Sequence, residues 1–416
     1  MALPYEAKAL QEDLSFLETK LKRSHPDLYM YTTPERFARC FDSLRATITG
    51  RGTDLQLVSA AAALYPLLGD GHTMFLPGPL TASRGTYAAY LPFDPVQVEG
   101  HLYVRRNGTA DGRLAPGVEV LAINGVPAAA ILDTLMRRQV RDGHNTTFPA
   151  WIINNWFKEY YRLSFGEPAR FSVDLGSESG RMTVTVPALP KDSIRANIAR
   201  NHPAAGIEEE ARPLLRIAPD TSYAVLTIPS FDDLRDPLYP KLSSKDVLHG
   251  AFSALLAMKV ERLVLDLRGN QGGEPALAKL LLSYLLDEPF HLVWKGPASG
   301  KCRPQREPFT GKLLVLMDGG SFSATGMVLS CLERHGRATF IGEEAGGNRT
   351  VLAGSPKHVR LPNTGMDCYI STRLWRLVDR PNDGHGVMPT MAVSPTIGDI
   401  IHGRDPVMAA ALRALE

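Results

Sequence analysis

The chain has 416 residues, 44% of them hydrophobic and 22% charged, enough for two to four domains and at least one large core. Its 46 basic and 44 acidic residues leave a formal net charge of +2, which gives no electrostatic case for nucleic acid or an anionic membrane surface. Four scattered cysteines, Cys40, Cys302, Cys331 and Cys368, have neither zinc-ligand spacing nor a disulfide pattern and read as free thiols.

The opening stretch, MALPYEAKALQEDLSFLETKLKRSH, is charged and amphipathic and has no apolar signal core. The most apolar stretch, LQLVSAAAALYPLLG (55–69), is broken by polar residues and too short to span a bilayer. The expectation is a protein with no membrane span, cytoplasmic by default and exported only if a leader has been removed. Residues 5–69 read as helices: EDLSFLETKL has Leu14, Phe16, Leu17 and Leu21 at helical spacing, and TTPERFARCFDSLRATI starts on a Thr cap followed by Pro. A third helix, DLQLVSAAAALYPLL, ends at the glycines of GDGHT (69–73).

Residues 85–190 change character. Short strands are expected at LPFDPVQV, HLYVRR and VEVLAING, then a hairpin from ARFSVDL and RMTVTVPAL. Between them, HNTTFPAWIINNWFKEYYRLSFG (144–166) is aromatic-rich and helix-like. Residues 191–220 read as a polar connection. From 221 onward strands and helices alternate, as in β–α crossover units that build a covered sheet. The domains expected are therefore 1–80 helical, 81–195 mixed α+β with an aromatic-rich insertion near 136–166, and 196–416 an α/β core.

Four stretches bear on chemistry. In GGSFSATG (319–326), between the strand KLLVLM and a helix, a serine lies beside free backbone donors at the positive end of a helix dipole. Residue type and place alone favour a helix cap over a nucleophile, and leave Ser321 and Ser323 equivalent. In LVLDLRGNQGGEPALAKLL (263–281), a buried strand runs into glycines that let backbone approach a ligand and point N–H groups outward, or that merely form a tight turn. It has neither the dinucleotide glycine spacing nor the Lys-Ser/Thr of a P-loop. His72 sits in the glycine-flanked loop GDGHT; a lone histidine is more often structural than catalytic. In VDRPNDGHGVMPTMAVSPT (378–396), Asp383 is placed to orient an imidazole, or simply to make an Asp-Gly turn.

In this order the four stretches resemble the serine peptidase family of the C-terminal processing peptidases, the tricorn core and the retinoid-binding-protein repeats. DLRGNQGG is similar to its strand-and-glycine signature, GGSFSATGMVL to its nucleophile segment, ATFIGEEAGG to the following strand, and GHGVMPTMAVSPT to its closing Gly-Val-x-Pro-Asp, with Thr390 for the Asp. HPDLY (25–29) and LLGDGHT resemble the helical part of the tricorn-like branch, LAPGVEVLAINGVP a PDZ-like domain, and GRDPVMAAALRAL the last helix. The resemblance implies an α/β core of the ClpP/crotonase type with ββα units, a helical N-terminal domain and a PDZ-like α+β domain that holds an extended peptide by strand addition or gates the site.

The resemblance also implies roles. The nucleophile falls on Ser323, the oxyanion donors on backbone N–H groups of Ala324 and of Gly272 or Gly273, the base on His72 and the third residue on Asp383, with Glu344 as alternative acid. Where the processing branch has its lysine base stands Asn348, beside Arg349, which stays protonated. Gly71 stands where the tricorn branch often has Ser. The implied activity is hydrolysis of peptide bonds in a peptide or unfolded protein substrate, by Ser–His chemistry with no metal or organic cofactor. A catalytically inactive peptide- or ligand-binding protein on the same fold, and a small-ester hydrolase, are the competing readings.

Overall fold

The structure, a computed structural model, describes residues 4–79, 81, 88–177, 180–202, 214–234, 241–297 and 299–416. Helices α1 (Ala7–Ser24) and α2 (Pro34–Thr47) open the chain, with the Thr33 hydroxyl accepting from the N–H of Arg36 at the start of α2. The expected third helix is divided into α3 (Asp54–Ala61), a 3-10 turn and α4 (Tyr65–Leu68). Gly69, at φ 55°, stops α4 in the left-handed conformation that suits glycine. Strand β1 (Met74–Leu76) follows directly.

The second region is an antiparallel sheet of β2 (Phe93–Val98), β3 (His101–Asn107) and β4 (Glu119–Ile123), followed by helices α5 (Ala128–Arg137) and α6 (Thr147–Phe165) and the hairpin β5 (Arg170–Ser177) and β6 (Gly180–Pro187). The spatial order is β2-β3-β4-β5-β6. Helix α6 is the aromatic-rich segment, and non-helical angles at Trp156 (φ −132°, ψ 33°) divide it. Its N-terminal half packs Phe148 and Ile152 against the helical domain, while Ile153 and Phe157 join the core of the second sheet.

Asn154 of α6 lies on the outer edge of β2. Its Oδ1 accepts from the N–H of Gln97 (2.7 Å) and its Nδ2 donates to the Gln97 carbonyl (3.1 Å), the two bonds an added strand would make there. Of the two roles the resemblance implies for the second region, strand addition or gating, strand addition on this edge would meet a position that the chain itself already fills. The connection expected over 191–220 lies partly outside the described residues. Its described parts are a helix, α7 (Lys191–Asn201), and a strand, β7 (Leu215–Ile217).

The third region is a six-stranded sheet. After β7 come β8 (Ala224–Thr227), α8 (Ser244–Ala257), β9 (Arg262–Asp266), α9 (Pro275–Leu285), β10 (Lys312–Met317), α10 (Ala324–Arg334) and β11 (Thr339–Gly342). A peripheral group follows, β12 (Val351–Gly354), β13 (Lys357–Arg360), β14 (Asp367–Ile370) and β15 (Arg373–Arg376), then β16 (Met391–Ala392) and the last helix α11 (Pro406–Leu415). The order is β7-β8-β9-β10-β11-β16, parallel except for the β7–β8 pair.

Both faces of this sheet are covered, which explains the near-continuous apolar strands. Leu263, Leu265, Leu313 and Val315 face the core built with α8, α9 and α10. Val264, Leu314, Leu316 and Ile341 face α11. The helical domain does not swing free: β1 pairs antiparallel with β14, and the buried side chains of α1 to α4 share one cluster with Phe322, Phe148 and Ile370. Burying each such Leu, Ile or Phe contributes about 1.5–3 kcal/mol, so this contact fixes the loop before β1 against the α/β core. Among the described residues no helix is long and apolar enough to cross a membrane.

Candidate active site

Strand β10 ends at Met317 and the chain turns through 318–322 into α10. The turn is held from outside. Asp318 accepts from the N–H groups of Gly269 (2.8 Å) and Gly320 (2.9 Å), and Phe322 N–H donates to the Asn270 carbonyl (3.1 Å). Burial pushes the Asp318 carboxyl up to about 6 despite the two backbone N–H groups.

The two serines of this turn are not equivalent. Ser321 is fully buried; its hydroxyl donates to the Leu267 carbonyl (2.9 Å) and accepts from the N–H of Asp318 (3.1 Å). Ser323 occupies the cap position of α10, but its side chain makes no capping bond, and its backbone sits at φ 57°, ψ −119°. A non-glycine residue there carries strain of order 1–3 kcal/mol, sustained only where surrounding structure imposes it. The capping alternative therefore fails for both serines.

Opposite Ser323 lies His72, brought by the β1–β14 pairing. Its Nε2 is 2.9 Å from the Ser323 Oγ, across 251 residues of sequence. The imidazole stacks on Phe322 (4.7 Å between centroids), which stacks in turn on Phe148 of α6 (4.2 Å). Nδ1 is buried and makes no well-formed hydrogen bond. Burial lowers the His72 pKa, while the Asp70 charge and the Ala353 carbonyl favour the charged ring.

Two residues before His72, Asp70 is 2% exposed. Its Oδ1 accepts from the backbone N–H of His72 (2.8 Å) and stands 4.0 Å from Nδ1 of the same residue. Its Oδ2 meets Nε2 of buried His25 (3.0 Å) and the Thr73 hydroxyl (2.5 Å). Burial alone would push this carboxyl up. Hydrogen bonds from His25 and from the Thr73 hydroxyl reverse that and hold it well below the usual carboxylate range.

Asp142 closes the cluster, accepting from the N–H of Gly71 (2.9 Å) and of Asn348 (3.1 Å). Burial, with the Asp70 charge beside it, pushes Asp142 up to about 7. Atoms of Asp70, His72 and Asp142 lie within 4.8 Å of one another, a spacing a cation would accept. All four carboxylate oxygens, however, already have the hydrogen-bond partners just named.

The other expected residues fall elsewhere. Asp383 does not orient His72: its Oδ2 takes two bonds from Arg349 (2.5 and 3.1 Å), and its Oδ1 accepts from the N–H of His385 (3.2 Å). The arginine keeps the carboxylate charged and turned away. Glu344 is likewise engaged, by the N–H of Gly386 (2.8 Å) and Nδ1 of His385 (3.2 Å). Asn348, in the place of a lysine base, is 1% exposed; its side chain bonds Tyr31, Asn382, Thr350 and Val351 and shapes the loop.

Gly272 approaches the nucleophile closely: a Cβ there, at φ 101°, would stand 2.7 Å from both the Ala324 N and the Ser323 Cβ. Its N–H is already bonded to the Asn270 Oδ1 (2.9 Å), which removes it as an oxyanion donor. The N–H groups of Gly273 and Ala324 make no hydrogen bond to described residues.

Sequence reasoning missed Asp70, His25 and Asp142. One signal was present. Asp-Gly-His occurs three times, at 70–72, 142–144 and 383–385, and all three meet here. Gly71 N–H donates to the Asp142 carboxylate, Gly143 N–H to the Gly69 carbonyl (2.9 Å), and His144 N–H to the Gly384 carbonyl (2.8 Å). A pocket of about 820 Å³ opens over Ser323 and His72, walled by Met74, Phe148, Ile152, Trp156, Tyr160 and Phe322. Glu159, Arg162 and Lys191 also line it.

Against known proteins, the sequence model described as peptidase family S41 matches residues 222–393, the segment that holds the glycine loop, the nucleophile turn and the Asp383 turn. No curated protein matches the chain in sequence. Among solved structures it is similar to mature CPAF at 16% identity and TM-score 0.68, over 98% of this chain and 96% of that one. Mature CPAF complexed with lactacystin gives 16% identity and TM-score 0.69 over 98% of each chain. The photosystem II D1 C-terminal processing protease gives 16% identity and TM-score 0.45, over 92% and 93%. The CPAF likeness extends the shared fold through the helical and second regions that the family match does not reach. The match over residues 222–393 and the fold shared with CPAF along almost the whole chain together support a serine-type peptidase with a core similar to peptidase family S41.

Proposed function

We propose that the chain hydrolyses peptide bonds with Ser323 as nucleophile and His72 as general base. The observation that carries this reading is the 2.9 Å approach of Nε2 to Oγ between two residues from different domains. Nε2 takes the hydroxyl proton as Oγ bonds to the substrate carbonyl carbon. The ring, then charged, returns the proton to the leaving amine, and an acyl-enzyme remains. Water repeats the cycle and releases the acid. The developing oxyanion is held by the N–H of Ala324, at the N-terminus of α10, and by that of Gly273.

The apolar pocket favours a peptide with a large apolar side chain next to the scissile bond. Its aromatic wall comes from α6, the segment that also fills the β2 edge, so the second region acts on substrate by shaping the pocket. Treatment of the full chain with a fluorophosphonate tests the reading. Labelling should vanish in Ser323→Ala and persist in Ser321→Ala, and peptide turnover should follow labelling. Labelling and turnover that survive in Ser323→Ala would move the nucleophile elsewhere.

A further inference from the structure

A serine–histidine pair needs the imidazole held in one tautomer and its positive charge balanced when it takes the serine proton. The resemblance assigns that to Asp383, which Arg349 holds away from the ring. Nδ1 of His72 faces inward, buried and without a well-formed bond. Around the ring stand the Ala353 carbonyl, which favours its charged form, and two carboxylates, Asp70 with Oδ1 at 4.0 Å and Asp142 behind Gly71.

We infer that Asp70, with His25 bonded to its far oxygen, is the positioning carboxylate for His72 and balances the imidazolium formed in the transition state. The inference rests on Ser323 and His72 being the reacting pair. Three features carry it. Asp70 fixes the backbone of His72 through the 2.8 Å bond to its N–H, which sets where the ring enters the site. Both Asp70 and His25 side chains are 2% exposed, so the carboxylate acts on the ring through protein rather than water. His25 Nδ1 accepts from the N–H of Asp27 (3.3 Å), leaving Nε2–H to donate to Asp70. The pair HPD and GDGH is thereby one unit, joined across 45 residues.

Among the described residues, the titratable and polar groups facing His72 are Asp70 from its own loop, Asp142 from the loop after α5, Ser323 from the nucleophile turn and the Ala353 carbonyl from β12. Tyr31 stands further off, bonded to Asn348 and Asn382. Asp142 accepts from the N–H of Gly71 and so braces the same loop from the other side.

The test is kcat/KM between pH 5 and 9 on a fluorogenic peptide with an aromatic residue next to the scissile bond. The full-length chain is compared with Asp70→Asn, Asp70→Glu, Asp383→Asn and His25→Gln, each checked for a native melting transition. Asp70→Asn should lower kcat on the order of 10–10²-fold, less than the ~10⁴ of a directly bonded triad aspartate, with KM little changed. Losing the negative charge disfavours the imidazolium, so the acid limb of the profile should move to lower pH. Asp70→Glu should restore part of the rate and return the limb toward its original position. Asp383→Asn should have a smaller effect on kcat and leave the limb in place.

Should Asp70→Asn not fold, His25→Gln carries the test: with the His25 donor weakened, the Asp70 charge bears more fully on the ring, and the limb should move by a smaller amount to higher pH. A folded Asp70→Asn, or in its place a folded His25→Gln, with an unmoved acid limb overturns the inference, as does an equal or larger shift in Asp383→Asn. Ser323→Ala separates this outcome from failure of the underlying reading. If Ser323→Ala is inactive while Asp70 has no effect, only the role of Asp70 falls; if Ser323→Ala retains turnover, the catalytic pair falls with it.

Discussion

Asp70-Gly71-His72 and Asp383-Gly384-His385 are the same tripeptide closed by the same hydrogen bond, although Gly384 takes a left-handed φ of 75° and Gly71 does not. In each, the aspartate Oδ1 accepts from the N–H of the histidine two residues on, at 2.8 and 3.2 Å. What surrounds them differs. The first lies between the helical domain and the α/β core: its aspartate is 2% exposed, and its histidine reaches Ser323. The second lies at the surface: its aspartate side chain is 38% exposed and paired with Arg349, and its histidine is 41% exposed and paired with Glu344. An Asx turn thus presets the backbone, while domain packing decides which imidazole meets a hydroxyl.

The sharpest way to break that comparison is to remove each ring. His72→Ala should lower kcat by about 10⁶-fold, as loss of either member of a working serine–histidine pair does. His385→Ala should stay within about tenfold of the full chain, measured as initial rates on the same peptide. Comparable losses from the two would show that the local turn, not its surroundings, carries the function.

The glycine between the two loops of the core comes next. Gly272→Ala places a methyl 2.7 Å from the Ser323 Cβ at a φ of 101°, where neither neighbour is a flexible side-chain end. A loss of stability of about 1–3 kcal/mol is expected for such strain, read by urea denaturation. Activity should fall further than that loss explains, because Ser323 moves. Gly384→Ala meets the ring of His144 at 2.7 Å instead and should lose stability with less effect on rate.

Trp156→Ala opens the pocket wall at the break in α6. On peptides with an aromatic residue at the cleavage point, kcat/KM should fall about 10–200-fold, the range for a mis-sized apolar pocket, with little change for alanine. Equal losses on both peptides would place substrate elsewhere than in this pocket.

The smallest effects concern pH. His72 is lowered by burial, so the acid limb of the full chain should lie below the ordinary imidazole value of about 6.5. The two buried aspartates titrate in opposite senses. Asp70, depressed in the folded state, contributes stability that is present above its unfolded value near 3.9 and lost as pH falls through its folded value. Asp142, raised to about 7, favours the folded state at low pH and loses that contribution as pH rises from about 4 to 7. Melting temperatures of Asp142→Ala between pH 5 and 8 should therefore show a flatter slope than those of the full chain.

Much was legible along the chain. The apolar strands and amphipathic helices of the α/β core, the Thr-Pro start of α2 and the glycine stop after α4 follow from period and capping chemistry, which act within a few residues. The glycine loop and the serine turn were visible as strand-to-helix junctions. Their reading failed where partners are remote. Gly272 was matched as an oxyanion donor before Asn270 was seen to hold its N–H, and Asp383 as the third residue before Arg349 was seen to claim it. Asp142, within the second Asp-Gly-His, had no local mark of burial.

The sequence by itself determined the elements and the glycines that permit close approach, since these depend on backbone sterics and short-range hydrogen bonds. Tertiary structure alone decided that His72, and not His144 or His385, faces Ser323, and that Asp70 is buried beside His25 while Asp383 is not. The reason is physical. An imidazole or a carboxylate acquires its role from burial and from groups a few ångströms away, and here the deciding partners, Arg349 for Asp383, His25 for Asp70 and Ser323 for His72, lie 34, 45 and 251 residues distant along the chain.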